Sequence, residues 1–226
     1  MAALVVGWQF GRVATGTAET STLEDTKMET TSAARTLEDT TIGSSGGPKN
    51  PEDVAHEASF THRATDENSR GDYTYISDPI MNGDPDAVVL VSNVRSTTYD
   101  HNIGVWYEAG ARKWAIFNQD RAAVPEGATF RVEVRQPSET FVHRADLLNT
   151  AGNYTYLDNR LTNGEPDAVL SVTQNWNPGG GRGVYNNHPV VTMYDVQVKR
   201  WAVYNRDGAA IPKAAAFNIA VSASAP

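Results

Sequence analysis

Over much of the chain, large apolar side chains fall on every second residue of short runs. In Thr129-Phe130-Arg131-Val132-Glu133-Val134 the apolar Phe130, Val132 and Val134 share one face, as a half-buried strand requires. Phe60–Ala64, Tyr73–Ile76, Ala87–Val91, Ile103–Tyr107 and Lys113–Phe117 read as strands for the same reason or for their β-branched content. Turn chemistry separates them: Asn82-Gly83, Glu108-Ala109-Gly110 and Pro125-Glu126-Gly127. Helical periodicity is nearly absent. The pattern predicts an all-β chain of antiparallel sandwich or jelly-roll type.

The pattern occurs twice. Phe60-Thr61-His62-Arg63-Ala64 returns as Phe141-Val142-His143-Arg144-Ala145, and Asn82-Gly83-Asp84-Pro85-Asp86-Ala87-Val88 as Asn163-Gly164-Glu165-Pro166-Asp167-Ala168-Val169, both 81 residues on. Gly71-Asp72-Tyr73-Thr74-Tyr75 and Gly152-Asn153-Tyr154-Thr155-Tyr156 keep the same spacing. Beyond Asn177-Pro178-Gly179-Gly180-Gly181-Arg182 the spacing becomes 87, and Trp114-Ala115-Ile116-Phe117-Asn118 pairs with Trp201-Ala202-Val203-Tyr204-Asn205. The chain therefore divides into an arm, 1–57, and two tandem β-domains, 58–135 and 139–223. The short linker Arg135-Gln136-Pro137-Ser138 predicts a fixed relation between the domains.

The arm has a different composition. From Thr15 to Pro48 it is rich in Thr, Ser, Gly and Glu, too polar to offset its own ordering entropy. At its start, within residues 3–11, Leu4, Val6, Trp8 and Phe10 alternate with smaller or polar residues, which puts four large apolar groups on one strand face. A strand on a long polar tether (12–57) suits addition to the sheet of a neighbouring copy. The other reading is a strand of the first domain joined by a wandering loop.

Charge and composition narrow the function. A net charge of -8 argues against nucleic acid or an anionic membrane as the main partner, and no run is long and apolar enough for a membrane span. The chain has no cysteine, which excludes disulfides, thiolate metal sites and a Cys nucleophile. Met1–Gly7 has no basic lead and too short an apolar run for a signal peptide, so export needs prior removal of a signal or another route. Gly43-Ser44-Ser45-Gly46-Gly47 spells a nucleophile elbow without the flanking strand and helix. Arg70-Gly71-Asp72 spells an adhesion tripeptide, but its counterpart is Ala151-Gly152-Asn153. No catalytic set stands out and no cofactor is expected. His62 and His143, like His101 and His188, recur in equivalent places and read as hydrogen-bonding anchors. Asp84, Asp86, Glu165 and Asp167 offer the hard oxygens calcium prefers, although Asn-Gly and Asp-Pro also form plain turns. Asn153 stands in a glycosylation acceptor triplet, and the Thr-rich arm suits O-linked sugar. Asn175, Trp176, Asn177 and Tyr185, in a Gly-rich loop, combine aromatics and amides as a sugar platform would.

Residues Asn153–Asp158, Val172–Gly180 and Tyr185–Pro189, together with Gly104–Tyr107 and Lys113–Asp120, resemble a domain of unknown function found in tandem in bacterial secreted proteins. The arm-plus-two-domains layout looks like the subunits of helical extracellular fibrils recovered from environmental pond water. That resemblance implies an extracellular, self-associating filament subunit and brings no catalytic residues. The first domain departs from the pattern, with Ser92-Asn93-Val94-Arg95-Ser96 in place of the Gln-Asn-Trp-Asn-Pro-Gly-Gly segment. The alternative expectation is a carbohydrate-binding or adhesin module with glycans as partners.

Overall fold

The structure is a computed structural model, and it describes residues 57–94 and 99–222. Copy 1 contributes β1 (Ala58–Arg63), β2 (Ser69–Arg70), β3 (Tyr73–Tyr75), β4 (Val89–Asn93), β5 (Ile103–Glu108), β6 (Lys113–Asn118) and β7 (Thr129–Val134). Copy 2 contributes β8 (Thr140–Arg144), β9 (Thr150–Ala151), β10 (Tyr154–Tyr156), β11 (Val169–Asn175), β12 (Val190–Asp195), β13 (Arg200–Asn205) and β14 (Ala216–Ser222). Among the described residues the one helical element is a 3-10 turn at Pro178–Gly180, and no helix is long and apolar enough to cross a membrane. The strands anticipated from alternation form within two residues of their expected bounds.

Each copy is a sandwich of two antiparallel sheets. In copy 1 the order β1-β7-β4 packs on β2-β3-β6-β5; in copy 2 the order β8-β14-β11 packs on β9-β10-β13-β12. The alternating faces supply the cores. Phe130 and Val132 of β7 and Val89 of β4 meet Val105, Trp114 and Ile116 of the opposing sheet, all fully buried. Phe217 and Ile219 of β14 meet Val203 and Leu157 in the same way. Full burial of each such side chain stabilises by roughly 1.5–3 kcal/mol.

Buried polar groups are fastened identically in both copies, so the duplication extends to hydrogen bonds. The Thr74 hydroxyl donates to Asn68 Oδ1 (2.9 Å) and lies 2.8 Å from His62 Nε2. Its single proton is spent on Asn68, so His62 Nε2–H is the donor to Thr74. Thr155, Asn149 and His143 repeat the set at 2.9 and 2.8 Å. Burial holds both rings below the ordinary imidazole range, His143 down to about 4. The indole N–H of Trp114 donates to Asp84 O (2.9 Å) and that of Trp201 to Glu165 O (2.8 Å). His101 pairs with Asp120, and His188 with Asp207, each at 2.7 Å. These contacts bear out the reading of the recurring histidines as anchors.

The relation between the copies is set by more than the linker. β5 of copy 1 pairs in parallel with β11 of copy 2 (Gln174 with Gly104, Asn175 with Val105), so one seven-stranded sheet, β2-β3-β6-β5-β11-β14-β8, runs through both.

Candidate functional site

The junction is made by a segment that copy 1 lacks. After Asn175 the chain continues along β5: Trp176 N donates to Val105 O (2.9 Å), and the Asn177 side chain then imitates a strand. Its Oδ1 accepts from Tyr107 N (2.8 Å) and its Nδ2 donates to Tyr107 O (2.9 Å). The edge of β4 is closed by side chains of copy 2. Thr173 Oγ1 accepts from Val91 N (2.8 Å), and Asn218 Nδ2 donates to Val89 O (2.8 Å). Asn175 Nδ2 donates in turn to Asn218 Oδ1 (2.9 Å). Thr173, Asn175, Asn177 and Asn218 are all buried. A buried amide must be satisfied, and these are satisfied by the scaffold. This corrects the sugar-platform reading for Asn175 and Asn177, which present nothing to a ligand.

The rings of that loop do form a surface feature. Trp176 lies edge-to-face on Trp106 (6.1 Å between centroids) and 5.7 Å from Tyr185, which sits 5.8 Å from Phe117; Tyr73 meets Trp106 at 5.5 Å. Gly183 passes so close under the indole that a Cβ there would stand 2.1 Å from it. Only glycine lets the chain turn under Trp176 and bring Tyr185 back over β6. Asp72, Tyr73, Trp106, Phe117, Trp176 and Tyr185 enclose a cleft of about 200 Å³. It opens into a polar hollow shared by Asp72 and Tyr185 with Gly71, Arg121 and Ala123. The Arg121 guanidinium lies 5.0 Å over the Tyr185 ring. Trp176 and Tyr185 are thus brought together as the sequence suggests, but with Asp72, Tyr73, Phe117 and Arg121, which sequence reasoning did not gather. The signal was the change of repeat spacing from 81 to 87 residues, which marks an insertion unique to copy 2.

The same face of copy 2 is bare. Val191 and Met193 of β12 stand opposite Tyr204 and Ala202 of β13, with Tyr154 and Tyr156 of β10 beyond them. Val191 is 37 % and Met193 56 % exposed. The edge is open too. Arg206 N donates to Pro189 O (2.8 Å), so by antiparallel alternation the backbone groups of Val191, Met193 and Asp195 turn to β13, and those of Val190, Thr192 and Tyr194 turn outward. Thr192 and Tyr194 occupy the positions of Val105 and Tyr107, whose outward groups Trp176 and Asn177 satisfy. Among the described residues no strand pairs with the outer edge of β12. Among the same residues β1 and β8 also lack an outer partner, but in both copies alike.

The remaining sequence candidates find ordinary surroundings. Asn153 Nδ2 donates to Asn205 O (3.2 Å). Asp84 Oδ1 accepts from Asp86 N (2.9 Å) within its turn, and no three His, Cys, Asp or Glu side chains gather for a metal among the described residues; Glu165 and Asp167 join no such group. Arg70 folds its guanidinium onto the carbonyls of Ser69, Asp66 and Glu67, so the tripeptide at 70–72 does not present a free arginine. Leu4, Val6, Trp8 and Phe10, with the rest of the arm, lie outside the described residues.

Two stretches, 50–134 and 104–221, match a family described as a domain of unknown function, DUF7452. Together they span most of the chain, which belongs to that family as a tandem pair. No curated protein and no solved structure matches it.

Proposed function

We propose that this DUF7452 family member is a non-enzymatic structural subunit of an extracellular filament, assembled head to tail as the arm strand of one copy adds to β12 of the next. The observation that carries the reading is the open edge of β12 beside its filled twin, β5. Within the chain, β5 is closed by a segment that combines backbone pairing with an indole laid on the outer face: Asn175-Trp176-Asn177 on Val105, Trp106 and Tyr107. The arm offers the same combination in Val6-Gly7-Trp8-Gln9-Phe10. Added to β12, it would satisfy the outward groups of Thr192 and Tyr194 and cover Val191 and Met193. An unpaired, apolar edge left in water is otherwise a liability.

The tether from Arg12 to Asn50 can extend on the order of 100 Å, enough to reach another subunit. A contact in which the arm of one copy meets β12 of another is heterologous and continues as a filament unless it closes as a ring. The extracellular setting is supported by the resemblance to secreted tandem domains alone.

Two variants test the reading. Deletion of Met1–Gly11 removes the donor. Thr192→Pro blocks the acceptor while sparing every β12–β13 hydrogen bond, because the Thr192 N–H points away from β13. Both should give folded monomers by light scattering and no fibres by electron microscopy, where the parent chain gives fibres. Fibres from either variant would exclude this route of assembly.

A further inference from the structure

The cleft at the junction has features that its duplicate lacks and that the scaffold does not need. Asp72 corresponds to Asn153, whose side-chain amide donates to Asn205 O (3.2 Å). A carboxylate has no N–H to give, and Asp72 makes no side-chain hydrogen bond or ion pair among the described residues. Arg121 corresponds to Gly208. Both adopt the left-handed backbone, φ 63° and 82°, which glycine enters freely and arginine only against its Cβ. Arg121 forms no ion pair among the described residues; its guanidinium lies over Tyr185. Trp106 corresponds to Met193, which turns an aliphatic surface into an aromatic one. Trp106 and Asp72 line the aromatic cleft, and Asp72 and Arg121 line the polar hollow that adjoins it.

We propose that this cleft binds the terminal pyranose ring of an uncharged glycan. Aromatic walls from Trp106, Trp176 and Tyr185 suit the C–H face of a sugar, and an acceptor (Asp72) beside a donor (Arg121) suits its hydroxyls. A ligand of single charge would be attracted to one of these groups and repelled by the other. The aromatic cleft, about 200 Å³, is the size of one ring, and the adjoining hollow of about 480 Å³, lined by Asp72 and Arg121, lies beside it for the ring's hydroxyls. The site is built by both copies, so it exists only in the fused pair. It stands independently of the filament reading.

The test uses the full chain on a glycan array, followed by calorimetric titration of the best binder. Asp72→Asn and Arg121→Gly install the residues that copy 2 already carries at these positions, so folding is preserved, and a melting curve checks it. The parent should bind at least one uncharged, pyranose-terminated glycan, and each variant should weaken that binding tenfold or more. An array without binders overturns the proposal, as do a binder whose affinity neither variant changes and binding confined to charged sugars.

Discussion

The two copies share strand order, core and polar fasteners, yet among the described residues one has its β5 edge sealed and the other leaves β12 unpaired on its outer side. The difference comes from where a single segment lies. Asn175-Trp176-Asn177 and the loop to Tyr185 belong to copy 2 by sequence but serve copy 1 by contact. Copy 1 has no such extension and so cannot return the favour to a following domain. A tandem repeat in which each domain seals the one before it leaves its last edge without a partner among the described residues, and the proposed assembly adds its strand there.

The comparison breaks most visibly in the cores. Trp114 is fully buried and Trp201 only partly, although both donate to a carbonyl of the preceding turn. Trp114→Ala should therefore destabilise by about 3–5 kcal/mol and Trp201→Ala by clearly less in urea denaturation. Equal losses would show that the copies are packed alike.

Acid should strain both copies in the same direction. The His143 pKa is about 4 folded against 6.5 as the ordinary value, so between those pH values the unfolded chain binds more protons. The stabilisation is complete above pH 6.5 and is lost as pH falls towards 4. It is worth on the order of 3 kcal/mol for His143, with His62 adding in the same sense. The depressed carboxylates Asp120, Asp195 and Asp207 also weaken the fold in acid, so the comparison that isolates the ring is with His143→Gln. Its stability should fall less between pH 7 and 4.5 than that of the parent; parallel curves would remove His143 as the cause.

At the junction, Asn177→Ala strands the buried N–H and C=O of Tyr107 and should cost about 2 kcal/mol. Hydrogen exchange sharpens the contrast: the Tyr107 amide becomes fast in the variant, whereas the Tyr194 amide is already fast in monomeric parent. The smallest effect has the opposite sign. Arg121→Gly relieves a left-handed arginine and should stabilise by about 0.5–1 kcal/mol, after the added flexibility of the unfolded chain is subtracted. A loss of stability would mean that Arg121 supports the scaffold through Tyr185.

The strands, the duplication and the anchoring histidines were legible in the sequence because they depend on local alternation and on residue identities repeated at fixed spacing. Asn175 and Asn177 were misread because an amide in a Gly-rich loop looks the same whether it faces a ligand or a neighbouring backbone. Trp176 and Tyr185 were rightly grouped, but Asp72 and Arg121 lie far from them along the chain and carry no motif.

By itself, the sequence determined an all-β tandem pair, since period-two patterning and turn residues act within a few positions of each other. Only the tertiary structure decided which edges meet, that β5 joins β11 while the outer edge of β12 has no partner strand among the described residues, and that the junction rings enclose a cleft. Strand pairing between copies is governed by backbone hydrogen bonds, which every residue but proline can make, and so leaves almost no trace in side-chain identity.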